Sequence, residues 1–134
     1  LGFKGKFLGA DNFSLADVQK AAGNLLNDKT FFSIWKNFDS LTTQQQNFSQ
    51  RYKTKFGKEA GDQLYFNILG YDGLMVLTEA MKNSDLSGSG IKNALYKIKN
   101  YPGLGTSITI DSSGINRDPQ SVMVMYKDGK IVKN

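Results

Sequence analysis

The chain has 134 residues, a net charge of +5, 40% hydrophobic and 22% charged residues, and neither Cys nor His. That composition is globular, neither disordered nor collagen-like, and the length suits one ordinary domain burying roughly two-thirds of its unfolded surface. The two absences exclude disulfides, thiolate nucleophiles, Cys-based zinc sites, Ser-His-Asp triads and imidazole ligands, which leaves only carboxylates, Lys or Tyr for any catalysis.

Basic residues number 17 against 12 acidic ones, and only Arg51 and Arg117 are arginines. The lysines are spread singly, so the charge reads as a solvated Lys-rich surface with no nucleic-acid partner. No apolar run is long enough to span a membrane. Leu1 to Lys6 has no apolar core of a signal peptide and no initiator Met, so the chain is expected to begin inside something larger.

Phe3 to Gly9 reads as a strand with its exit turn. Ser14 is placed as a helix N-cap with Asp17 at the capping-box spacing, and Leu15, Val18, Ala21 and Ala22 follow at helical spacing to a Gly23 C-cap. Thr30 to Trp35 is β-branched and aromatic, a buried strand with Trp35 in the core.

Three helices are expected next. The first is capped by Thr42 or Thr43 and carries Phe48, Tyr52 and Phe56 before Gly57. The second runs from about Asp62 to Lys82, with a stripe of Leu64, Ile68, Met75 and Leu77 or Thr78, and with Gly70 and Gly73 as weak points or sites of close backbone approach. The third follows Ser87-Gly88-Ser89-Gly90 and carries Ile91, Ala94, Leu95 and Ile98. After the Tyr101 to Gly105 loop come a strand over Thr106 to Ile110, a turn at Asp111 to Gly114, a strand over Ser121 to Tyr126 buried on both faces, and an Asp128-Gly129 hairpin returning through Lys130 to Val132. The order is α/β, with a helix-rich middle that has no local sheet to cover.

Candidate chemistry is sparse. Asp11-Asn12 stands at the end of the first strand, the edge where open α/β sheets bind ligands, and Asp11 suits an ammonium group there; the alternative is a self-satisfied Asp-Asn turn, which the spacing alone favours. Tyr65-Phe66 and Tyr71-Asp72 offer either core aromatics and a helix cap or an aromatic wall for a ligand amine. Asp111 to Gly114 lacks EF-hand spacing, Gly103-Leu104-Gly105 lacks the third glycine of a dinucleotide loop, and no carboxylate pair stands out, so no metal, cofactor or catalytic residue is assigned.

Several strings in order carry a resemblance: Phe48-x-x-x-Tyr52-x-x-x-Phe56-Gly57, Tyr71-Asp72-Gly73-Leu74, Glu79-Ala80-Met81, Ile91-x-x-Ala94-Leu95, Tyr101-Pro102-Gly103-Leu104-Gly105, Thr109-Ile110-Asp111-x-x-Gly114 and Lys127-Asp128-Gly129-Lys130, with Gly9-Ala10-Asp11 ahead of them. The set resembles the branched-chain amino-acid substrate-binding proteins of ABC transporters, across essentially the whole chain. The resemblance implies a type I periplasmic-binding fold, here only its C-terminal portion, as parts of two Rossmann-like three-layer αβα lobes. It places residues 1–35 in the second lobe, a hinge crossing at 36–40, residues 41–118 in the first lobe, a crossing at 119–121 and a return to the second lobe over 122–134.

The same resemblance implies a non-enzymatic protein that closes on an amino acid and docks on an ABC permease. By the resemblance it would lie outside the cytoplasm, periplasmic or anchored as an extracellular lipoprotein. Asp11, with Asn12 beside it, would receive the ligand ammonium, and Tyr65 or Phe66 would pack on the ligand. A sensory module with the same fold is the alternative function. The stripes Phe48/Tyr52/Phe56 and Ile91/Leu95/Ile98 are expected to seek partners, giving a dimer or swapped assembly.

Overall fold

The computed structural model describes residues 3–35, 39–117 and 121–134. They form two compact units, Leu1–Ser40 with Gln120–Asn134, and Leu41–Pro119. Of the two expected crossings, residues 36–38 and 119–120 lie outside the described residues, as do Leu1 and Gly2.

The first unit is a four-stranded mixed sheet. Strand β1 (Phe7–Gly9) pairs in parallel with β2 (Thr30–Trp35), which pairs antiparallel with β5 (Ser121–Lys127), and β5 pairs with β6 (Lys130–Lys133). Helix α1 (Ala16–Ala22) supplies the crossover that two parallel strands require. Strand β1 is shorter than the expected Phe3 to Gly9 run, because only Phe7, Leu8 and Gly9 find partners on β2. The core is Leu26, Phe32, Ile34, Val124 and Tyr126, with Phe13, Ala22, Val122 and Ile131 packed against it. Each such apolar side chain, fully buried, is worth about 1.5–3 kcal/mol.

Strand β5 is buried on one face only. Val124 and Tyr126 are buried, while Met123 is 48% exposed, so the uniformly apolar run hid a one-sided strand. The β5–β6 turn has both Asp128 and Gly129 at positive φ, the geometry of a two-residue hairpin, and Asn27 Oδ1 accepts from the Gly129 N–H at 3.0 Å. Ser14 is not a helix cap. It lies in a 3-10 turn, Asp11–Ser14, and its hydroxyl donates to the Asp11 carbonyl at 2.6 Å; α1 starts after Leu15 without a side-chain cap.

The second unit is built on helices. Helix α2 (Thr43–Phe56) begins at Thr42 with a full capping box: Gln45 N–H donates to Thr42 Oγ1 and Thr42 N–H donates to Gln45 Oε1. It ends at Gly57, which supplies the left-handed conformation a C-cap needs. Helix α3 (Leu64–Lys82) and α4 (Gly88–Tyr96, capped by Ser87) pack together with a two-stranded ribbon of β3 (Tyr101–Pro102) and β4 (Ser107–Ile108). Their shared core is Val76, Ala80, Ala94, Ile98 and Ile108, with Ile91 and Leu95 against it, so the Ile91/Leu95/Ile98 stripe finds its partner inside this unit.

The buried seam of α3 is Ile68, Asp72, Val76 and Ala80. Of the expected stripe Ile68 is buried, whereas Leu77 is 40% exposed and Met75 only partly covered. At Gly70 and Gly73 an added Cβ would meet nothing within 4 Å among the described residues, so no close backbone approach is seen there.

Candidate functional site

Strand β1 delivers residues 10–14 at its carboxyl end. Gly9 is required there, because a Cβ would stand 2.3 Å from the Phe13 ring. Phe13 packs on Phe32 with ring centroids 6.2 Å apart, and the Tyr126 hydroxyl donates to the Phe13 carbonyl. Phe13 N–H donates to Ala10 O and Leu15 N–H to Asn12 O, both at 3.1 Å, and Gln19 Nε2 donates to Ser14 O at 2.9 Å. Asp11 is thereby held half-buried at the carboxyl end of the parallel pair, with Asn12 exposed beside it. Among the described residues, no group donates a hydrogen bond to the Asp11 carboxylate. Burial pushes the Tyr126 hydroxyl up to about 12 against an opposing hydrogen bond with Gln19, so this group stays a donor at neutral pH.

Tyr65 and Phe66 lie in the first turn of α3, in the second unit, and are half-buried. Their rings are 5.5 Å apart and tilted by 50°. Successive helix positions are about 100° apart, so the two rings leave the helix on different faces. Asp11 and Asn12 belong to one unit and Tyr65 and Phe66 to the other.

Sequence reasoning missed the best-formed polar arrangement. Asp72 is neither a cap nor a ligand-wall residue; it is only 4% exposed, in the apolar seam of α3. Its two carboxylate oxygens each accept a backbone N–H at 2.7 Å, one from Leu104 and one from Gly105. Gln45, 1% exposed at the start of α2, donates through Nε2 to the Leu104 carbonyl at 2.9 Å. The loop 103–105 is thus clamped on both its donors and its acceptor. Glycine is required at 103, where a Cβ would lie 2.4 Å from the Thr106 carbonyl oxygen, and Gly105 is closely packed, a Cβ there lying 3.0 Å from Ile68 Cγ2. The available signal was a charged residue in phase with Ile68, Val76 and Ala80, together with a Gly-x-Gly loop downstream.

Asp111 organises the turn that follows β4. Its Oδ1 accepts from Ser113 N–H at 2.8 Å and from Ile115 N–H at 2.9 Å, and Arg117 donates to Oδ2. The Ile115 N–H first, then Arg117 and Ser113, hold this carboxyl below the usual carboxylate range. These contacts make it a turn residue, as its spacing suggested. No group of side chains suited to a metal ion occurs among the described residues.

The fold defines the class as that of the type I periplasmic-binding proteins, of which the chain presents partial lobes. In structure the chain is similar to substrate-binding proteins of branched-chain amino-acid ABC transporters. A leucine-binding protein from Thermotoga maritima matches 99% of this chain with TM-score 0.73 and 26% identity, and the match covers 37% of that protein. A branched-chain amino acid transporter substrate-binding protein from Streptococcus pneumoniae, solved with isoleucine, matches 99% of this chain and 38% of its own at TM-score 0.69 and 19% identity. A type 1 periplasmic binding protein from Bordetella pertussis matches 95% of this chain and 38% of its own at TM-score 0.67 and 20% identity. The chain therefore spans little more than a third of the length of these structures. The sequence matches no protein-family model and no curated protein. No helix among the described residues is long and apolar enough to cross a membrane.

Proposed function

We propose that the chain is the C-terminal portion of an extracytoplasmic, non-enzymatic solute-binding component of an ABC importer, and that the solute is an amino acid of the branched-chain type. The observation that carries this reading is the match over 99% of the chain to a leucine-binding protein at 26% identity. In this reading residues 1–35 and 122–134 belong to one lobe and 41–118 to the other, with hinge crossings at 36–40 and 119–121. The division into two compact units with the chain passing between them twice supports it.

Asp11 receives the ligand ammonium. Its position at the carboxyl end of β1, half-buried and without a donor among the described residues, suits that role. A partly buried carboxylate is costly unless paired, and an ammonium supplies the pair. Asn12 lies beside it, and Tyr65 or Phe66 provides an apolar wall from the other lobe. Closure of two lobes around a ligand is then a hinge motion, and the closed form is what a permease would recognise.

Titration calorimetry on the full-length protein that contains this segment tests the reading. Leucine, isoleucine or valine should release heat at a stoichiometry of one. Loss of one charge-assisted hydrogen bond is worth about 1.5–3 kcal/mol, so Asp11→Ala should weaken binding by about 10- to 150-fold. An absence of binding to every natural amino acid would refute the assignment.

A further inference from the structure

We propose that Asp128–Gly129 in the β5–β6 turn is a site of spontaneous isoaspartate formation, and that the Asn27 side chain restrains the reaction by holding the Gly129 amide. The chemistry is intramolecular and needs only water. The Gly129 nitrogen attacks Asp128 Cγ and a C–N bond forms. The amide proton and the carboxyl hydroxyl leave as water, which closes a succinimide ring. A water molecule then opens the ring at either carbonyl. One product is aspartate again; the other links the chain through Cγ and adds one methylene to the backbone. Glycine favours the attack because no Cβ shields its nitrogen.

The chain has two Asp-Gly steps, and the fold treats them differently. Asp72 is 4% exposed, both its oxygens accept backbone N–H groups, and Gly73 lies midway along α3. Neither the carboxyl nor the amide nitrogen is at liberty there. Asp128 and Gly129 are exposed and turn the chain between Lys127 and Lys130, the pair that closes the β5–β6 ladder. Among the described residues the Asp128 carboxylate has no hydrogen-bond or ion-pair partner. Its backbone stands at φ +50°, an uncommon conformation for a residue with a Cβ. The restraint comes from outside the hairpin, where Asn27 Oδ1 accepts the Gly129 N–H at 3.0 Å. Asn27 is itself fixed: its N–H donates to Asn24 O at 3.2 Å, and the Asp28 N–H donates to Tyr126 O at 2.8 Å. Ring closure swings the Gly129 nitrogen onto Cγ, which rotates ψ of Asp128 and breaks the bond to Asn27. The opened turn is therefore the reactive species, and its population sets the rate. The consequence falls on β6, an edge strand held by β5 alone, whose Ile131 packs against the core of the first unit.

The test is prolonged incubation of the 134-residue chain in mildly acidic buffer at physiological temperature, with isoaspartate located by electron-transfer mass spectrometry. It should accumulate at 128 and not at 72 in the folded chain, whereas in urea both steps should react alike. Asn27→Ala should raise the rate at 128 by about fivefold, the factor carried by one ordinary hydrogen bond. Asn27→Asp keeps an acceptor oxygen and should stay near the parent rate. Four results overturn the proposal: equal rates at 72 and 128 in the folded chain, a difference between the two steps that persists in urea, a rate at 128 indifferent to Asn27→Ala, or Asn27→Asp as fast as Asn27→Ala. Acceleration at 72 as large as at 128 in Asn27→Ala would show general unfolding in place of a local restraint and would also overturn it.

Discussion

Replacing Asp72 by Asn should unfold the helical unit at markedly lower denaturant. The carboxylate accepts two backbone N–H groups at 2.7 Å, from Leu104 and Gly105, in a site only 4% exposed. Hydrogen bonds to a charged group contribute about 1.5–3 kcal/mol each. Asparagine keeps one acceptor oxygen and turns the other position into a donor facing a donor. One bond is lost, one buried N–H is orphaned, and the second bond becomes neutral. Against this stands the relief of a buried charge that has no ion-pair partner among the described residues. The net expectation is a destabilisation of about 2–4 kcal/mol. Urea unfolding followed by far-UV circular dichroism reads it, because α2, α3 and α4 all lie in this unit. Amide exchange locates it: the Leu104 and Gly105 amides should be protected in the parent chain and lose protection in the variant. A change below about 0.5 kcal/mol, the level of an ordinary surface substitution, with protection retained at both amides, would show that the clamp does not hold the loop.

Three further outcomes are expected. Gly129→Ala places a Cβ on a residue at φ +73° in the β5–β6 turn and should cost about 1–2 kcal/mol, read as a lower urea midpoint; an unchanged midpoint would show that the turn relaxes freely. The Tyr126 hydroxyl, pushed up to about 12, should ionise late in a spectrophotometric titration, and its contribution to stability should be whole below pH 10 and vanish as pH rises through 12; a midpoint at the ordinary tyrosine value would contradict its burial and its bond to the Phe13 carbonyl. The Asp111 carboxyl is held below its ordinary range by Ile115, Arg117 and Ser113, so the 111–117 turn should keep its amide shifts down through the usual carboxylate range and lose them only at lower pH; a carbon-detected titration giving an ordinary or raised midpoint would refute that.

Local chemistry was readable wherever a few adjacent residues decide the outcome. Gly57 and Gly23 at helix ends and Asp128-Gly129 between two apolar runs each specify a turn or cap without help from elsewhere, whereas the choice of Thr42 over Thr43 as cap rests on the reciprocal bonds with Gln45. Thr30 to Trp35 was readable as a strand for the same reason. The phase of α3 was not readable, because apolar residues populate nearly every face from Leu64 to Met81 and only packing against α4 and β4 chooses among them. Asp72 escaped because its partners lie 32 and 33 residues away and are backbone groups, which carry no side-chain signature. Ser14 misled because it ends the Asp11–Ser14 3-10 turn, where its hydroxyl donates to the Asp11 carbonyl, and the helix starts only after Leu15. Asp11 was visible as a carboxylate at a strand end, whereas the ammonium-binding role proposed for it rests on the resemblance and not on its neighbours in the chain.

The most direct measurement is calorimetric titration of leucine and isoleucine into the full-length protein carrying this segment, as the parent and as Asp11→Ala. Saturable binding in the parent, weakened by about 10- to 150-fold in the variant, is the expected result. Equal affinity in the two proteins would remove Asp11 from the site, and no binding of any amino acid by the parent would contradict a role as an amino-acid receptor.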